Sequence, residues 1–474
     1  MQSVATALAR LAELAASPAV STLASAFSAA GLELALVGGP VRDAFLGTRS
    51  VDLDFTTNAT PEQVLDVVVP LADAHWETGR QFGTIAARVR GETVEITTYR
   101  TDSYDGESRK PEVQFGDSLE DDLVRRDFTV NALALRLPEI VLVDPSGGLE
   151  DLMAGVLRTP VAPERSFGED PLRMMRGARF ASQLGFRLDD AAFSAMGTLA
   201  DRINGISLER VNDELSKLLR TDAPRAGLRI LVDSGLADRV LPELPGLRLT
   251  MDEHHHHKDV YEHSLTVLDQ AIELERDRNP GSTPDLVLRL AALLHDIGKP
   301  ATRRLEGGGT VTFHHHDTVG AKMAKKRLRE LRYDNDTIRD VARLIELHLR
   351  FFGYSDGVWT DSAVRRYVRD AGDQLERLHI LTRADVTTRN VRKADRLAFA
   401  YDDLEDRIRA LQEEEGRAAL RPDLDGEQIM AILELKPGPD VGAAYRFLME
   451  LRLDEGPLGE EEATHRLLAW WRDR

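Results

Sequence analysis

The sequence predicts an α+β chain: a head of mixed strands and helices, then an all-helical remainder. Three observations predict it. Leu34–Val37 and Val51–Phe55 are apolar runs of strand length, the first ending at a glycine pair. Gly83–Val89 and Thr93–Thr98 alternate and flank Arg90-Gly91-Glu92, a hairpin signal. From about Pro171 onward the composition changes and the chain reads as helix almost throughout.

At 474 residues the chain is too long for one core, and two to four domains are expected. A hydrophobic share of 42% and a charged share of 30% suit a soluble globular protein. No apolar run approaches the roughly 20 residues of a membrane span. The Ala/Leu-rich start, interrupted by Arg10 and Glu13, reads as a helix and not as a signal peptide. With no cysteine, disulfides, Cys metal sites and Cys nucleophiles are excluded, and a cytoplasmic location fits. The net charge of −19 argues against nucleic-acid binding by global charge. An RNA site must then be a local basic patch, because phosphate contacts act over about 8 Å in cells.

In order, residues 1–30 read as helix and Leu34–Val37 as a strand ending at Gly38-Gly39. A short helix over Val41–Leu46 carries Arg42, and the strand Val51–Phe55 carries Asp52 and Asp54. Residues i and i+2 of a strand share a face, so the two carboxylates converge. Two such oxygen ligands suit Mg²⁺, which binds a few carboxylates plus substrate phosphates. The glycines let backbone approach a phosphate. Together these pieces read as nucleotide, metal and phosphoryl transfer.

Thr60 caps a helix with Pro61 at its first position, running to about Leu71. Glu95, on the second hairpin strand, is either a third acidic group at the metals or an exposed strand residue. Arg100–Glu120 reads as a long polar loop, a kind that is functional or disordered. Arg125-Arg126-Asp127-Phe128-Thr129-Val130-Asn131 follows, then a turn at Asp144–Gly148.

Glu169-Asp170 precede Pro171, and acids suit the positive N-terminus of the helix that starts there. Arg173, Arg176 and Arg179 recur every three residues and form a slanted row. Like charges in such a row repel unless an anion lies across them. Asp170 and Arg173, three apart, place acceptors and donors where a base edge can be read. The plain alternative is a solvated arginine face. Ser207–Lys217, with Asp213 and Glu214, reads as a helix that braces its neighbours.

The helical part also carries His263, His295-Asp296, His314–His316, His348 and Asp385. Imidazoles and carboxylates without cysteine suit a hard or borderline divalent ion and hydrolysis. The run His254–His257 has no assigned role. Arg383, Arg389, Arg392, Lys393 and Arg396 form a basic strip, and Gly438 and Gly442, both before a helix, present backbone N–H groups to an anion or simply form a turn.

At these residues the chain resembles the class II CCA-adding tRNA nucleotidyltransferases and the related bacterial poly(A) polymerases. The resemblance rests on Gly38-Gly39-x-Val41-Arg42-Asp43, Asp52-x-Asp54, Arg125-Arg126-Asp127-Phe128-Thr129-x-Asn131-Ala132 and Glu169-Asp170-x-x-Arg173 running into Arg176 and Arg179. It covers roughly residues 30–220. It implies a nucleotidyltransferase head on a small mixed sheet (1–165), a helical neck with the base-recognition helix (166–245), and an all-helical remainder. It implies that Asp52 and Asp54 hold Mg²⁺, and Glu95 is counted with them as a candidate catalytic residue. Gly38, Gly39, Arg42, Arg126, Asp127 and Asn131 would bind the nucleotide. Asp170 and Arg173 would pair with C or A, extended by Arg176 and Arg179. The substrates implied are tRNA, CTP and ATP, with no membrane partner.

His263, His295, Asp296 and Asp385 resemble the ligand set of an HD phosphohydrolase domain (246–390), which would hold a divalent metal of unspecified identity. A helical tail (391–474) would contact tRNA. His316 and His348 would complete a second site or activate water. The full-length Arg100–Glu120 loop favours complete CCA over CC addition, since the family's CC-adding forms have it shortened. Poly(A) addition, an HD hydrolase of cyclic nucleotides or 2′-phosphates, a uridylyltransferase of nitrogen signalling and a non-catalytic RNA binder are the other readings.

Overall fold

The computed structural model describes residues 3–48, 52–102, 113–116, 118–248, 259–306, 311–355, 359–387, 390–419, 421–455 and 458–472. Most of the Arg100–Glu120 loop (103–112) and the His254–His257 run lie outside the described residues. The chain divides into two compact units, Met1–Glu346 and Leu347–Arg474. Their boundary falls inside the stretch 246–390 expected to form the HD domain.

In the first unit, helices Val4–Ala15 and Pro18–Ala29 precede a seven-stranded sheet. Its strands are β1 (Leu34–Val37), β2 (Leu53–Thr57), β3 (Ala74–Trp76), β4 (Thr84–Val89), β5 (Glu92–Thr98), β6 (Ala134–Leu137) and β7 (Val141–Val143). Their spatial order is β3-β4-β5-β2-β1-β6-β7. β2 and β5 run parallel, and the other neighbours are antiparallel. β1 is buried along its whole length, as its unbroken apolar run requires of an inner strand. Arg90 and Gly91 join β4 to β5 at φ of +54° and +82°, the left-handed pair of a two-residue hairpin turn.

Several details differ from the sequence expectation. Asp52 stands one residue before β2, because the pairing of β2 with β5 begins at Leu53 opposite Val94. β3, β6 and β7 are additional strands, and Arg100–Asp102 pairs with Val113–Phe115 within the stretch expected to be loop. β6 lies in an apolar run whose lack of alternation hides a buried strand. The helix from Pro61 closes at Val68, with Thr60 and Gln63 forming a reciprocal capping box.

The helices used below are α1 (Gly39–Leu46), α2 (Leu172–Leu184), α3 (Leu208–Leu219), α4 (Val260–Arg278), α5 (Leu286–Leu294) and α6 (His316–Glu330). α2 packs against α3 and against the helix Pro224–Asp233. The buried Arg289 of α5 is paired with Glu275 of α4 at 2.9 Å and donates to the carbonyls of Leu219 and Thr221 at 2.8 Å. That bond set satisfies carbonyls at the C-terminal end of α3 that the helix leaves open.

The second unit is helical. Leu424, Ile429, Leu433, Ala444, Leu448, Ala463 and Leu467 form the core of its last three helices. His348 and Asp385 belong to this unit, as does the basic strip. Arg383 of that strip is neutralised by Asp402 at 2.8 Å and Glu405 at 2.9 Å, and Arg389 lies outside the described residues. Among the described residues no helix is long and apolar enough to cross a membrane.

Candidate active site

A cavity of about 770 Å³ opens between the head sheet and the α2–α3 pair. One wall carries Asp52, Asp54 and Glu95, the next Gly38, Gly39 and Arg42, and the third Arg126, Asp127 and Asn131. Asp170, Arg173, Arg176 and Arg179 line the side toward α2. The structure thus brings the head residues expected to hold metal and nucleotide to one space. It adds Phe180, Gln183, Arg210 and Lys217.

The acidic wall follows from strand register. Asp54 lies directly opposite Glu95 across the parallel pair β2–β5. Burial pushes the Asp54 carboxyl up to about 6, and the nearby charges of Glu95 and Asp52 push the same way against Arg126. Carboxylate oxygens converging from neighbouring strands fit a hard divalent cation, which would relieve their mutual repulsion.

On the phosphate side, Gly38 adopts φ +70° and ψ −122°, a conformation strained for any side chain. A Cβ there would also stand 3.4 Å from Nη1 of Arg126. Glycine at 38 therefore lets the chain turn sharply into α1 beside a guanidinium. Arg126 is held by Asp122 at 3.3 Å. Arg42 donates to the Asn131 side-chain oxygen at 2.6 Å and to Asp43 at 2.8 Å.

A hydrogen-bonded path then crosses the cavity wall. The Asn131 amide donates to Asp127 at 3.0 Å, and Asp127 accepts from Arg176 at 2.7 Å. Burial raises the Asp127 carboxyl, but Arg176 and the donors around it win and hold it at about 2. Arg176 reaches Glu214 at 3.7 Å, and Glu214 accepts from Arg179 at 2.7 Å. The expected repulsion along the arginine row is thus relieved by protein carboxylates from other elements. Glu214, read in the sequence as part of a brace, is buried and holds two of the cavity's arginines. Arg210, Glu214 and Lys217 are spaced to share one face of α3, and that spacing was the available signal.

The pair Asp170–Arg173 differs from its expected plane. Asp170 accepts from the Leu172 N–H at 3.1 Å and from Arg210 at 3.1 Å. Arg173 is buried, donating to the Arg125 carbonyl at 2.6 Å and to the hydroxyl and carbonyl of Ser166 at 3.0 and 3.2 Å. Buried guanidinium donors require acceptors, and these carbonyls supply them.

A second centre lies in the same unit, on α4, α5 and α6. The Nε2 atoms of His263 and His295 are 3.3 Å apart. Asp296 faces His295 at 3.1 Å, His316 at 3.3 Å, His263 at 3.4 Å and Lys299 at 2.9 Å. The carbonyls of Ala292 and Phe313 accept from Nδ1 of His295 and His316 at 2.9 and 2.8 Å. That bonding fixes each ring with Nε2 turned toward Asp296, as in ligating histidines. Burial raises the Asp296 carboxyl, but the charges of His295 and Lys299 hold it well below the usual range. The donor set of imidazole nitrogens and carboxylate fits a divalent cation.

The sequence matches the family described as Poly A polymerase head domain over residues 34–158. It also matches the HD domain over 260–390 and the Probable RNA and SrmB- binding site of polymerase A over 185–247. It is 37% identical to the A-adding tRNA nucleotidyltransferase of Deinococcus radiodurans, over 92% of this chain and 95% of that protein. It is 32% identical to the CC-adding tRNA nucleotidyltransferase of Thermus thermophilus, over 92% and 93%. It is 31% identical to the CCA-adding enzyme of Streptococcus suis, over 92% and 91%. A crystal structure of the Bacillus stearothermophilus CCA-adding enzyme in complex with CTP superposes with a TM-score of 0.58 at 25% identity, over 95% of this chain and 96% of that one. With these matches running nearly end to end, the chain belongs to the family of tRNA nucleotidyltransferases that includes A-adding, CC-adding and CCA-adding enzymes.

Proposed function

We propose that the protein adds CCA to the 3′ end of tRNA, taking nucleotides from CTP and ATP without a nucleic-acid template. The observation that carries this reading is the single cavity in which the acidic strand pair, the Gly38-Gly39 turn and the Asp170–Arg179 segment meet. Asp52, Asp54 and Glu95 would hold Mg²⁺. Bound there, the metal neutralises charge at the α-phosphate and makes the 3′-hydroxyl more acidic. Gly38, Gly39, Arg42 and Arg126 hold the triphosphate, and Asp127 and Asn131 hold the arginines in place. The protein's own part is positioning and charge neutralisation. The segments serve as head (1–165), neck (166–245), HD domain (246–390) and tail (391–474), the last contacting tRNA by backbone and shape. A tRNA substrate goes with a cytoplasmic location.

Base choice follows from donor and acceptor patterns. Cytosine and adenine both offer an exocyclic amino donor beside a ring-nitrogen acceptor, and uracil and guanine reverse this pattern. A carboxylate at Asp170 accepts from the amino group, and Arg173, anchored by Ser166 and Arg125, donates to the ring nitrogen through an N–H beyond those three bonds. The incoming base therefore takes Asp170 from Arg210. Arg173→Ala is expected to reduce the preference for CTP over UTP by about 10–100-fold, the value of one charge-assisted bond, with a smaller change in triphosphate affinity. An unchanged preference in competition assays refutes the template role.

A second reading, addition of the terminal A alone, is favoured by the 37% identity to the A-adding relative. The deciding experiment extends tRNAs ending before CCA and after CC, with each NTP singly and then together, resolved at one nucleotide. CCA on the shorter tRNA supports the proposal. Extension only of the CC-ended tRNA by one A supports the second reading. A stop at CC or a long A tail sinks both.

For the HD centre we infer phosphoester hydrolysis with a divalent metal held by His263, His295 and Asp296. Asp385 is assigned to the set by its order in the sequence. Hydrolysis of a 2′,3′-cyclic nucleotide by the wild-type protein is the test, and no hydrolysis with added divalent metals removes the inference.

A further inference from the structure

We propose that Phe180 is a positioning residue that couples the phosphate-side arginine of the cavity to its base-side arginines. This rests on the reading of the cavity as a nucleotidyl-transfer site. Phe180 lies on α2 and lines the cavity with only 5% of its surface exposed. Three guanidiniums surround its ring, with Arg179 at 4.1 Å, Arg176 at 5.3 Å and Arg42 at 5.5 Å from the centroid. All three fall within the ~6 Å over which a cation is attracted to an aromatic face. Arg176 and Arg179 come from the ring's own helix. Arg42 comes from α1 in the head, so the ring is where the two sets meet.

The ring is fixed from behind. Phe128 packs edge-on against it at 6.1 Å and 81°. Phe128 in turn sits over Gly177, where a Cβ would come within 3.0 Å of its ring. Each guanidinium also has its own carboxylate: Asp43 for Arg42, Asp127 for Arg176 and Glu214 for Arg179. Three cations, each paired with an acid of its own, are therefore gathered around one hydrocarbon. An aliphatic side chain fills that space but offers no negative face between them. With the aromatic ring, a shift of Arg42 onto a triphosphate is felt by the arginines beside the base.

The test compares Phe180→Leu with pentafluorophenylalanine placed at position 180, which keeps the shape and reverses the charge of the ring face. Both are expected to raise KM for CTP and ATP about tenfold. Both should also lower the CTP-over-UTP preference, with kcat changed less and thermal stability of the fluorinated protein close to wild type. Loss of packing alone predicts damage in Phe180→Leu only. A fluorinated protein with wild-type KM and preference therefore overturns the proposal, and it decides the matter if Phe180→Leu does not fold. Wild-type protein in the same assay keeps the two ideas apart. Failure of wild type to incorporate any nucleotide removes the site reading, whereas normal wild type with a normal fluorinated variant removes only the role of Phe180.

Discussion

Asp54→Ala is expected to lower nucleotide incorporation by about a thousandfold or more. Asp54 is the more buried of the Asp52–Asp54 pair and lies directly opposite Glu95. Burial and its acidic neighbours push its carboxyl up to about 6. A group so placed gains most from a cation, and its removal takes out the donor between Asp52 and Glu95. Arg42 and Arg126 stay in place, each held by other residues. Triphosphate binding should therefore survive while the transfer step fails. Single-turnover incorporation and calorimetric CTP binding separate the two quantities. Asp54→Asn, which keeps the shape, should fail similarly. Near-normal turnover in either variant sinks the metal assignment, and an equal loss of CTP affinity shows that Asp54 holds the nucleotide pocket together instead.

What the sequence made legible were local patterns. Asp52 and Asp54 were readable because a period of two puts them on one side. Arg173, Arg176 and Arg179 were readable because a period of three makes a row. The partners of those residues were not readable. Asp170 is bonded to Arg210, 40 positions away, and Arg173 to the carbonyl of Arg125, 48 away. No local spacing encodes such a pair, so the (i, i+3) expectation joined Asp170 to Arg173. Glu214 lay hidden in a helix of mixed charge, and its burial follows only from α3 packing on α2. Phe180 reads in sequence as one more core residue, since nothing nearby announces that Arg42 from another element comes to its face. β6 was missed because a buried strand has no alternation to show. In the second centre His295-Asp296 stood out as an adjacent pair, and the distances now put His263, His316 and Lys299 around the same carboxylate.

The other large effect is expected at that carboxylate. Asp296→Ala should remove bound divalent metal and phosphoester hydrolysis while leaving CCA addition in the head intact. Asp296 is 1% exposed and meets three imidazoles and one ammonium within 3.4 Å. With it gone, Lys299 loses the carboxylate 2.9 Å from its ammonium. Breaking such a pair from one side costs about 3–5 kcal/mol, so the unfolding midpoint should fall as well. His295→Ala removes a proposed ligand without taking away the negative charge, and should lose hydrolysis with a smaller loss of stability. Metal content, hydrolysis of a 2′,3′-cyclic nucleotide and tRNA extension are measured on each folded variant. Full hydrolysis in both variants sinks the assignment of the centre. Loss of tRNA extension in folded His295→Ala would mean that the two centres do not act independently, because His295 lies on the α4–α6 cluster and lines no part of the head cavity.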